Sequence, residues 1–188
     1  MPDSRSKLWE DAPLVKQAKS GDAEAFGRLY DHYAPTVFRF LYAQLPDRMD
    51  AEDLTTEVFM QAWRSMASYQ ERGFAFSAFL FRIARNMVAD FYRKRKEVVN
   101  SEFLESVAED QNSLPKAFAL KQEHQELYKT LSHLNENYRT VLVLRFLNEL
   151  SPKETAQAMR RSEGAVRVLQ HRALTALREL INDHGPQA

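Results

Sequence analysis

The chain has 188 residues, enough for one ordinary domain or two small ones. It contains no cysteine, which excludes disulfides, thiolate-ligated zinc fingers and a cysteine nucleophile. Its 26 basic and 26 acidic residues cancel, which argues against a protein that coats DNA through net positive charge. The charged N-terminus lacks the apolar core of a signal peptide, and no apolar stretch is long enough to span a bilayer. The sequence therefore predicts a cytoplasmic protein that does not insert into membranes.

The charges are segregated along the chain. Residues 47–57 hold five acids against one base, and residues 93–96 are an unbroken basic run. Residues 102–110 carry acidic charges only, and bases return between residues 153 and 178. This pattern predicts either separate partners for separate segments or simply solvated helix faces.

Residues 11–98 form the first predicted domain, which has helical periodicity. The first apolar stripe consists of Phe26, Leu29, Tyr33, Val37 and Phe40. Pro35 lies inside this stripe and is expected to kink or split the helix. Another helix is predicted to begin near Asp50, with Glu52 and Asp53 in its first turn, where carboxylates complement the helix dipole.

The clearest helical pattern runs from Phe76 to Phe91. Its apolar residues recur at the i, i+3, i+4 and i+7 positions of one face. The opposite face is polar and mostly basic, and it contains Arg82, Arg85, Asn86, Asp90 and Arg93.

The helical pattern is lost over residues 99–115, which are acidic and polar and end in Pro115. We predict a flexible linker there. Periodicity resumes over residues 116–182, the second predicted domain. The predicted fold class is therefore all-α, with two small helical domains joined by a flexible acidic linker.

A short helix is predicted to begin after Ser151 in the second domain. Ser151 and Glu154 have the spacing of a capping box, and Pro152 stands at the first helical position, where its missing N–H costs nothing. The helix is expected to end near Met159.

A second, longer helix is predicted to follow a turn at residues 160–161, with Ser162 as its cap. A short helix, a tight turn and a capped helix are typical of the helix-turn-helix DNA reader. The outward residues of the second helix are Glu163, Arg167, Val168, His171 and Arg172. The alternative is a small helical hairpin with a solvated basic face.

Four segments occur in a specific order along the chain: GDAEAFGRLYDHYAPTVFRF, DAEDLTTEVFMQAW, FLFRIARNMVADFYRKRK and LSPKETAQAMRRSEGAVRVLQHRALTALREL. Together they resemble RNA polymerase sigma factors of the extracytoplasmic-function (ECF) type, over residues 21–180. The resemblance implies that the first domain binds and melts the −10 promoter element. It also implies that the second domain reads the −35 element, and that both domains dock on RNA polymerase core.

The resemblance assigns polymerase contacts to the acidic helix of the first domain. The residues at these positions are Asp53, Thr56, Glu57 and Met60, which would contact the coiled-coil clamp helices of the polymerase. The family often has glutamine where this chain has Thr56, so that single contact departs from the pattern. The alternative is that the acids merely complement the helix dipole.

The resemblance places the strand-opening segment on the helix that includes Phe79. Asn86 falls at the family position that reads a flipped −10 base, and an amide offers both a donor and an acceptor to a base edge. The expected phosphate contacts are Arg82, Arg85, Arg93 and Lys94. Tyr69 and Phe74, in the loop before the helix, are candidates for touching DNA. The aromatic residues expected in the core instead are Phe76, Phe79, Phe81 and Phe91.

The resemblance also places −35 contacts in the second domain, at Arg145, Arg167, His171 and Arg172. Glu163 could accept a hydrogen bond from cytosine or simply support the start of the helix. The family often carries serine-arginine where this chain has Val168-Leu169, which leaves the −35 sequence open.

The acidic linker is expected to thread the polymerase channel. Its acids could imitate nucleic-acid charge there, and they are Glu102, Glu105, Glu109 and Asp110. The family also implies an anti-sigma partner in many members, although no residue of this sequence demonstrates one.

Two other classes of protein are also compatible with the sequence. A dimeric operator-binding regulator would explain the helix-turn-helix, and a helical adaptor would bind no DNA. An enzyme is not expected, because the five histidines are scattered and no glycine loop cradles phosphate. No cofactor and no metal site are expected either.

Overall fold

The computed structural model describes residues 4–70, 75–101 and 122–184. This part of the chain is helical and has no strand, which confirms the all-α fold class. The first domain contains the helices α1 (Ser4–Lys19), α2 (Ala23–Tyr42), α3 (Arg48–Ser65) and α4 (Phe76–Ser101). The second domain contains α5 (Gln122–Ser132), α6 (Glu136–Leu142), α7 (Pro152–Met159) and α8 (Glu163–His184).

Helix α2 is the centre of the first domain and packs against α1, α3 and α4. Asp22 caps its N-terminus, where the carboxylate accepts hydrogen bonds from the backbone N–H groups of Glu24 and Ala25 at 3.0 and 3.1 Å. Leu29 and Val37 of the predicted stripe are fully buried. The periodic spacing therefore identified the core face of this helix.

Pro35 does not split α2, so the expectation of a split is wrong. The helix runs unbroken from Ala23 to Tyr42 with Pro35 inside it. Proline in a helix interior costs about 3 kcal/mol. Ala34 and Val37 on either side are buried in the core, and their packing outweighs that cost.

Helix α3 begins two residues before the predicted position near Asp50. Asp47 is its cap and accepts a hydrogen bond from the backbone N–H of Asp50 at 2.8 Å. Asp50 therefore lies in the first turn, whereas Glu52 and Asp53, which were expected there, lie beyond it because the helix begins earlier. The helix ends in a tighter turn over Met66–Ser68.

The second domain is built around the packing of α6 and α8. Asn135 caps α6, and a wider π-helical turn, Val143–Leu147, follows it. Val141, Val166 and Ala173 are buried between these elements. The turn directs the chain into α7.

The two domains are packed against each other, which the sequence did not predict. Helix α7 lies along α4, and the buried apolar residues of both domains form one continuous cluster. The rings of Tyr42 and Tyr128 meet edge to face with their centroids 4.9 Å apart. Gln44 also donates a hydrogen bond to the Thr140 hydroxyl at 3.3 Å.

Across the described ranges, no helix is both long and apolar enough to cross a membrane.

Candidate nucleic-acid interface

The start of α7 has the capping geometry that the sequence predicted. The Ser151 hydroxyl accepts a hydrogen bond from the Glu154 N–H at 3.2 Å, and the Glu154 carboxylate accepts one from the Ser151 N–H at 2.8 Å. Pro152 occupies the first position of the helix, and Met159 is the last residue. Two backbone donors at the helix start are thus satisfied reciprocally.

The turn between α7 and α8 also confirms the prediction. Arg160 has left-handed backbone angles (φ 53°, ψ 48°) and ends α7. The Arg161 N–H donates to the Ala156 carbonyl at 2.9 Å. Ser162 then caps α8, where its hydroxyl accepts from the Ala165 N–H at 3.2 Å. Together these bonds produce the two-helix geometry of a helix-turn-helix.

Helix α8 presents the predicted DNA-reading residues to solvent. Val166 and Ala173 are buried against the rest of the domain. The exposed residues on the other side include Glu163, Arg167, His171 and Arg172. This face can enter a major groove without displacing the core.

Arg145 is different, because its guanidinium is used inside the domain. Its Nε donates to the Gln170 amide oxygen at 3.0 Å, and another nitrogen donates to the Leu150 carbonyl. Burial lowers the pKa of Arg145 below its ordinary value. The side chain thus ties the segment before α7 to α8, and its contact with the −35 duplex stays a prediction.

Helix α4 carries the residues predicted to open the promoter. Asn86 is exposed, and the Arg82 guanidinium lies 5.6 Å from the centre of the Phe79 ring. Arg93 forms an exposed ion pair with Asp90 at 3.0 Å, and Lys94 is exposed one residue further on. The basic face of this helix is therefore largely open to solvent.

Arg85 lies at the contact between the domains. One of its terminal nitrogens donates to the Met159 carbonyl at 3.1 Å, across the gap between α4 and α7. The sequence predicted that Arg85 contacts a DNA phosphate. It did not predict the hydrogen bond to Met159, because the two residues are 74 positions apart. The phosphate contact stays a prediction that requires this bond to break.

The aromatic residues near the start of α4 form a packed cluster. Phe76, Phe79 and Phe81 are buried, as expected for core residues, and Phe91 is half-buried. Tyr69 is also buried, with its ring centre 4.8 Å from that of Phe79. A direct contact of Tyr69 with DNA stays a prediction that requires its surroundings to open.

Several predicted positions lie outside the described residues. They are Phe74, which precedes α4 in the sequence, and the acids of the predicted linker, Glu102, Glu105, Glu109 and Asp110.

Helix α3 exposes the four residues assigned to polymerase docking. Asp53, Thr56, Glu57 and Met60 lie on one face, spaced at i, i+3, i+4 and i+7. Met60 is 49% exposed, and Trp63 continues the same face. Exposed apolar side chains with acidic neighbours are typical of a protein-docking surface.

The start of α3 is electrostatically strained. Burial, a hydrogen bond with Asp47 and repulsion from that carboxylate raise the pKa of Asp50 to about 6. Arg95 of α4 opposes this effect. The acidic end of α3 therefore carries a carboxyl that titrates well above its ordinary range.

A cleft of about 990 Å³ lies between the two domains. Tyr69, Arg82 and Asn86 line it from the first domain, whereas Lys153, Arg160 and Glu163 line it from the second. The predicted −10 reader and the first residue of the predicted −35 helix thus share one cavity. Among the described residues, no group of histidine and carboxylate side chains is arranged to hold a metal ion.

These surfaces define a class of protein. A helix-turn-helix with an exposed, largely basic face is joined to a domain that has one helix with an exposed basic face and another with an exposed acidic face. This combination is the organisation of a transcription-initiation factor.

Comparison with known families agrees with this class. The model described as Sigma-70 region 2 matches residues 29–98, and the model described as Sigma-70, region 4 matches residues 124–177. The first match runs from within α2 to near the end of α4, and the second includes the helix-turn-helix.

Individual proteins show the same likeness. The ECF RNA polymerase sigma factor BldN of Streptomyces coelicolor is 39% identical over 90% of this chain, which spans 65% of the length of BldN. The ECF RNA polymerase sigma factor SigW of Bacillus subtilis is 31% identical over 90% of this chain and 95% of its own length. The structure of CnrH in complex with the cytosolic domain of CnrY has a TM-score of 0.73 at 25% identity, and it covers 93% of this chain and 99% of CnrH.

The chain belongs to the ECF RNA polymerase sigma factors. Sigma region 2 and region 4 domains bind RNA polymerase core and give promoter-specific initiation, which is the function of this family.

Proposed function

We propose that three exposed helix faces divide the work of promoter-specific initiation in this chain. Helix α3 docks on polymerase core, α4 melts the −10 element, and α8 reads the −35 element. The observation that carries the proposal is the exposed face of α8 that contains Arg167. The caps at the starts of α7 and α8 hold this helix in the helix-turn-helix geometry. Domain boundaries of 11–98 and 116–182, with a linker at 99–115, belong to the same proposal.

The α3 assignment rests on chemistry as well as on resemblance. Asp53, Glu57 and Met60 are exposed on one face, so they can reach a partner without unfolding the domain. Carboxylates and an apolar side chain suit a coiled-coil partner with basic and apolar side chains. Thr56 lies between them and also donates its hydroxyl to the Glu52 carbonyl at 3.3 Å.

We further infer that the chain acts without catalysis and in the cytoplasm, together with its polymerase. The relatives that support this are sigma factors. CnrH was solved bound to the cytosolic domain of another protein, CnrY. By analogy we propose an anti-sigma factor as a regulatory partner of this chain.

The test is transcription from a promoter library by bacterial core polymerase, with and without the purified chain. New sequence-specific start sites that require the chain are expected. No start sites, together with tight duplex binding by the free chain, would favour an operator-binding regulator. If the chain shows neither start sites nor duplex binding, the helical adaptor is favoured.

Arg167→Ala tests the −35 assignment in the same assay. The substitution is expected to cost about 1–3 kcal/mol and to relax preference at one −35 position, if the guanidinium pairs with a guanine. Arg178→Ala is the matched control, because Arg178 is also exposed on α8 but lies about three turns further along. A series of −35 mutations whose effects are unchanged by Arg167→Ala would reject the assignment.

A further inference from the structure

An apolar side chain is exposed in the first half of α8, where the other outward residues are polar or charged. Val168 is 53% exposed, whereas Val166, two positions earlier, is fully buried. Two residues of an α-helix are turned by about 200° around its axis, so the two valines point in nearly opposite directions. Val168 therefore lies on the side of α8 that faces away from the core and adds nothing to its packing.

The neighbours of Val168 on this face are the residues predicted to read the −35 element. Arg167 is adjacent in the chain, and His171 and Arg172 follow three and four positions later. Residues at these spacings are neighbours on a helix surface. All three are exposed, so a duplex that contacts them also meets the side chain of Val168.

Gly164 leaves the surface in front of Val168 open. It lies one turn earlier on the same face, and no side chain of the described residues lies within 4 Å of the place where a Cβ would stand. Side chains of a helix lean toward its N-terminus, so the valine lies above this glycine. A group on a base edge can therefore approach the valine methyls closely from solvent.

The chemistry of the major groove limits what a valine can recognise there. Thymine carries the methyl group of the groove, and the other groups that the bases present are hydrogen-bond donors and acceptors. A valine set against a donor or an acceptor would remove it from water without offering a partner. The same side chain therefore favours thymine and disfavours the alternatives at its position.

We propose that Val168 is a specificity-determining residue that packs on the C5 methyl of a thymine in the −35 element. The inference rests on the proposed function of α8 and adds a base identity to it. Arg167 and Val168 are consecutive residues, so this thymine lies within about two base pairs of the base that Arg167 contacts.

Replacing thymine by uracil tests the proposal, because uracil lacks only the C5 methyl and keeps the same hydrogen-bonding groups. Each −35 thymine, on either strand, is replaced in turn in a promoter found by the library assay. The affinity of core polymerase carrying the full chain is then measured for each duplex. Loss of one buried methyl contact is expected to weaken binding about fourfold at one thymine. Full affinity for every uracil duplex overturns the proposal.

Val168→Ala shows whether the methyl is sensed by this residue. Alanine is the better helix former, so the variant should keep α8 intact. The ratio of the affinities for the thymine and uracil duplexes is expected to fall from about four toward one, because the valine methyls that meet the base are gone. Damage to the fold would weaken binding to both duplexes and cancel in this ratio. An unchanged ratio rejects Val168 as the reader.

Ile181→Ala is the matched control for Val168→Ala. Ile181 is 54% exposed on the same helix, but it lies about 20 Å further along the axis. Its removal should leave the ratio at about four. If Ile181→Ala lowers the ratio as much as Val168→Ala does, the effect is not local to the base contact and the proposal is wrong.

Failure of this proposal is distinguishable from failure of the proposed function. If the chain directs no start sites, the proposed function fails and the role of Val168 fails with it. If start sites appear but uracil has no effect, only the role of Val168 is rejected. If Val168→Ala weakens binding to core polymerase and leaves the thymine-to-uracil ratio unchanged, Val168 contacts the polymerase instead of the base.

Discussion

Asn86 is exposed on α4, where its amide can donate to and accept from the edge of an unstacked base. We expect Asn86→Ala to weaken open-complex formation more than initial promoter binding, because only the melted state offers such a base. Permanganate reactivity of the −10 thymines reports melting, and a filter-binding assay reports initial binding.

Asn182→Ala serves as the control for Asn86→Ala, since it removes another exposed amide near the end of α8. Equal losses in melting and initial binding with Asn86→Ala would contradict the base-reading role.

The raised pKa of Asp50 predicts that the free energy of unfolding depends on pH. Its pKa of about 6 lies above the ~4 of an unfolded aspartate, so the folded state binds more protons between these values. The free energy of unfolding should then fall as the pH rises from about 4 to about 6, and the loss is complete above that range. Asp50→Asn cannot ionise, so its stability should differ less between about pH 4 and about pH 8.

Urea unfolding at both pH values measures this difference. Asp31→Asn, on the exposed face of α2, removes the same charge away from the α3 cap and is the matched control. A pH dependence that Asp50→Asn leaves unaltered would show that the raised pKa has no bearing on folding.

At the scale of the element, the turn of the helix-turn-helix stores backbone strain. Arg160 has a φ of 53°, a conformation that costs most residues roughly 1–2 kcal/mol and glycine almost nothing. Arg160→Gly should therefore raise the free energy of unfolding by about 0.5–1 kcal/mol.

Arg161→Gly is the comparison, because Arg161 is not among the described residues with positive φ. There glycine adds freedom to the unfolded chain and also removes the hydrogen bond that the Arg161 guanidinium donates to the Asn137 amide oxygen at 3.2 Å, so it should destabilise. Thermal or urea unfolding measures the change in the free energy of unfolding, which should be positive for Arg160→Gly and negative for Arg161→Gly. A change of the same sign in both variants would refute the role of backbone strain.

The elements also show where local sequence signals succeed. The capping box of Ser151 and Glu154 and the Ser162 cap were predictable because each bond spans only three residues. The course of α2 through Pro35 was not predictable in this way. Its continuity depends on packing against three other helices, which a local pattern does not contain.

At the scale of the whole molecule, a shared core should make the two domains unfold together. Both tryptophans, Trp9 and Trp63, belong to the first domain, so their fluorescence reports that domain alone. Circular dichroism reports the helices of both domains. The two urea transitions should coincide for the native chain, as in two-state unfolding.

Tyr128→Ala removes the ring that packs against Tyr42 across the interface, and the two transitions should then separate. Tyr30→Ala is the control, because Tyr30 packs on Phe59 within the first domain and should lower stability without uncoupling the domains. Coincident transitions in Tyr128→Ala would mean that the interface does not couple unfolding.

The sequence by itself determined the all-α class, the helix-turn-helix and the family. These depend on spacing, caps and ordered motifs that neighbouring residues carry. It also placed Asp53, Asn86 and Arg167 on the faces where they are exposed, because the helical period separates core from solvent.

Only the tertiary structure decided what Ser77, Arg85 and Glu154 contact. Ser77 and Glu154 are 77 positions apart, and Arg85 and Met159 are 74 apart. Polar groups that are so far apart in the sequence become buried against each other only after the two domains have packed. Many other pairs of polar residues would fit the same local sequence patterns. The physical reason is that helix formation is governed by contacts within about four residues, whereas domain closure depends on the complementarity of two finished surfaces.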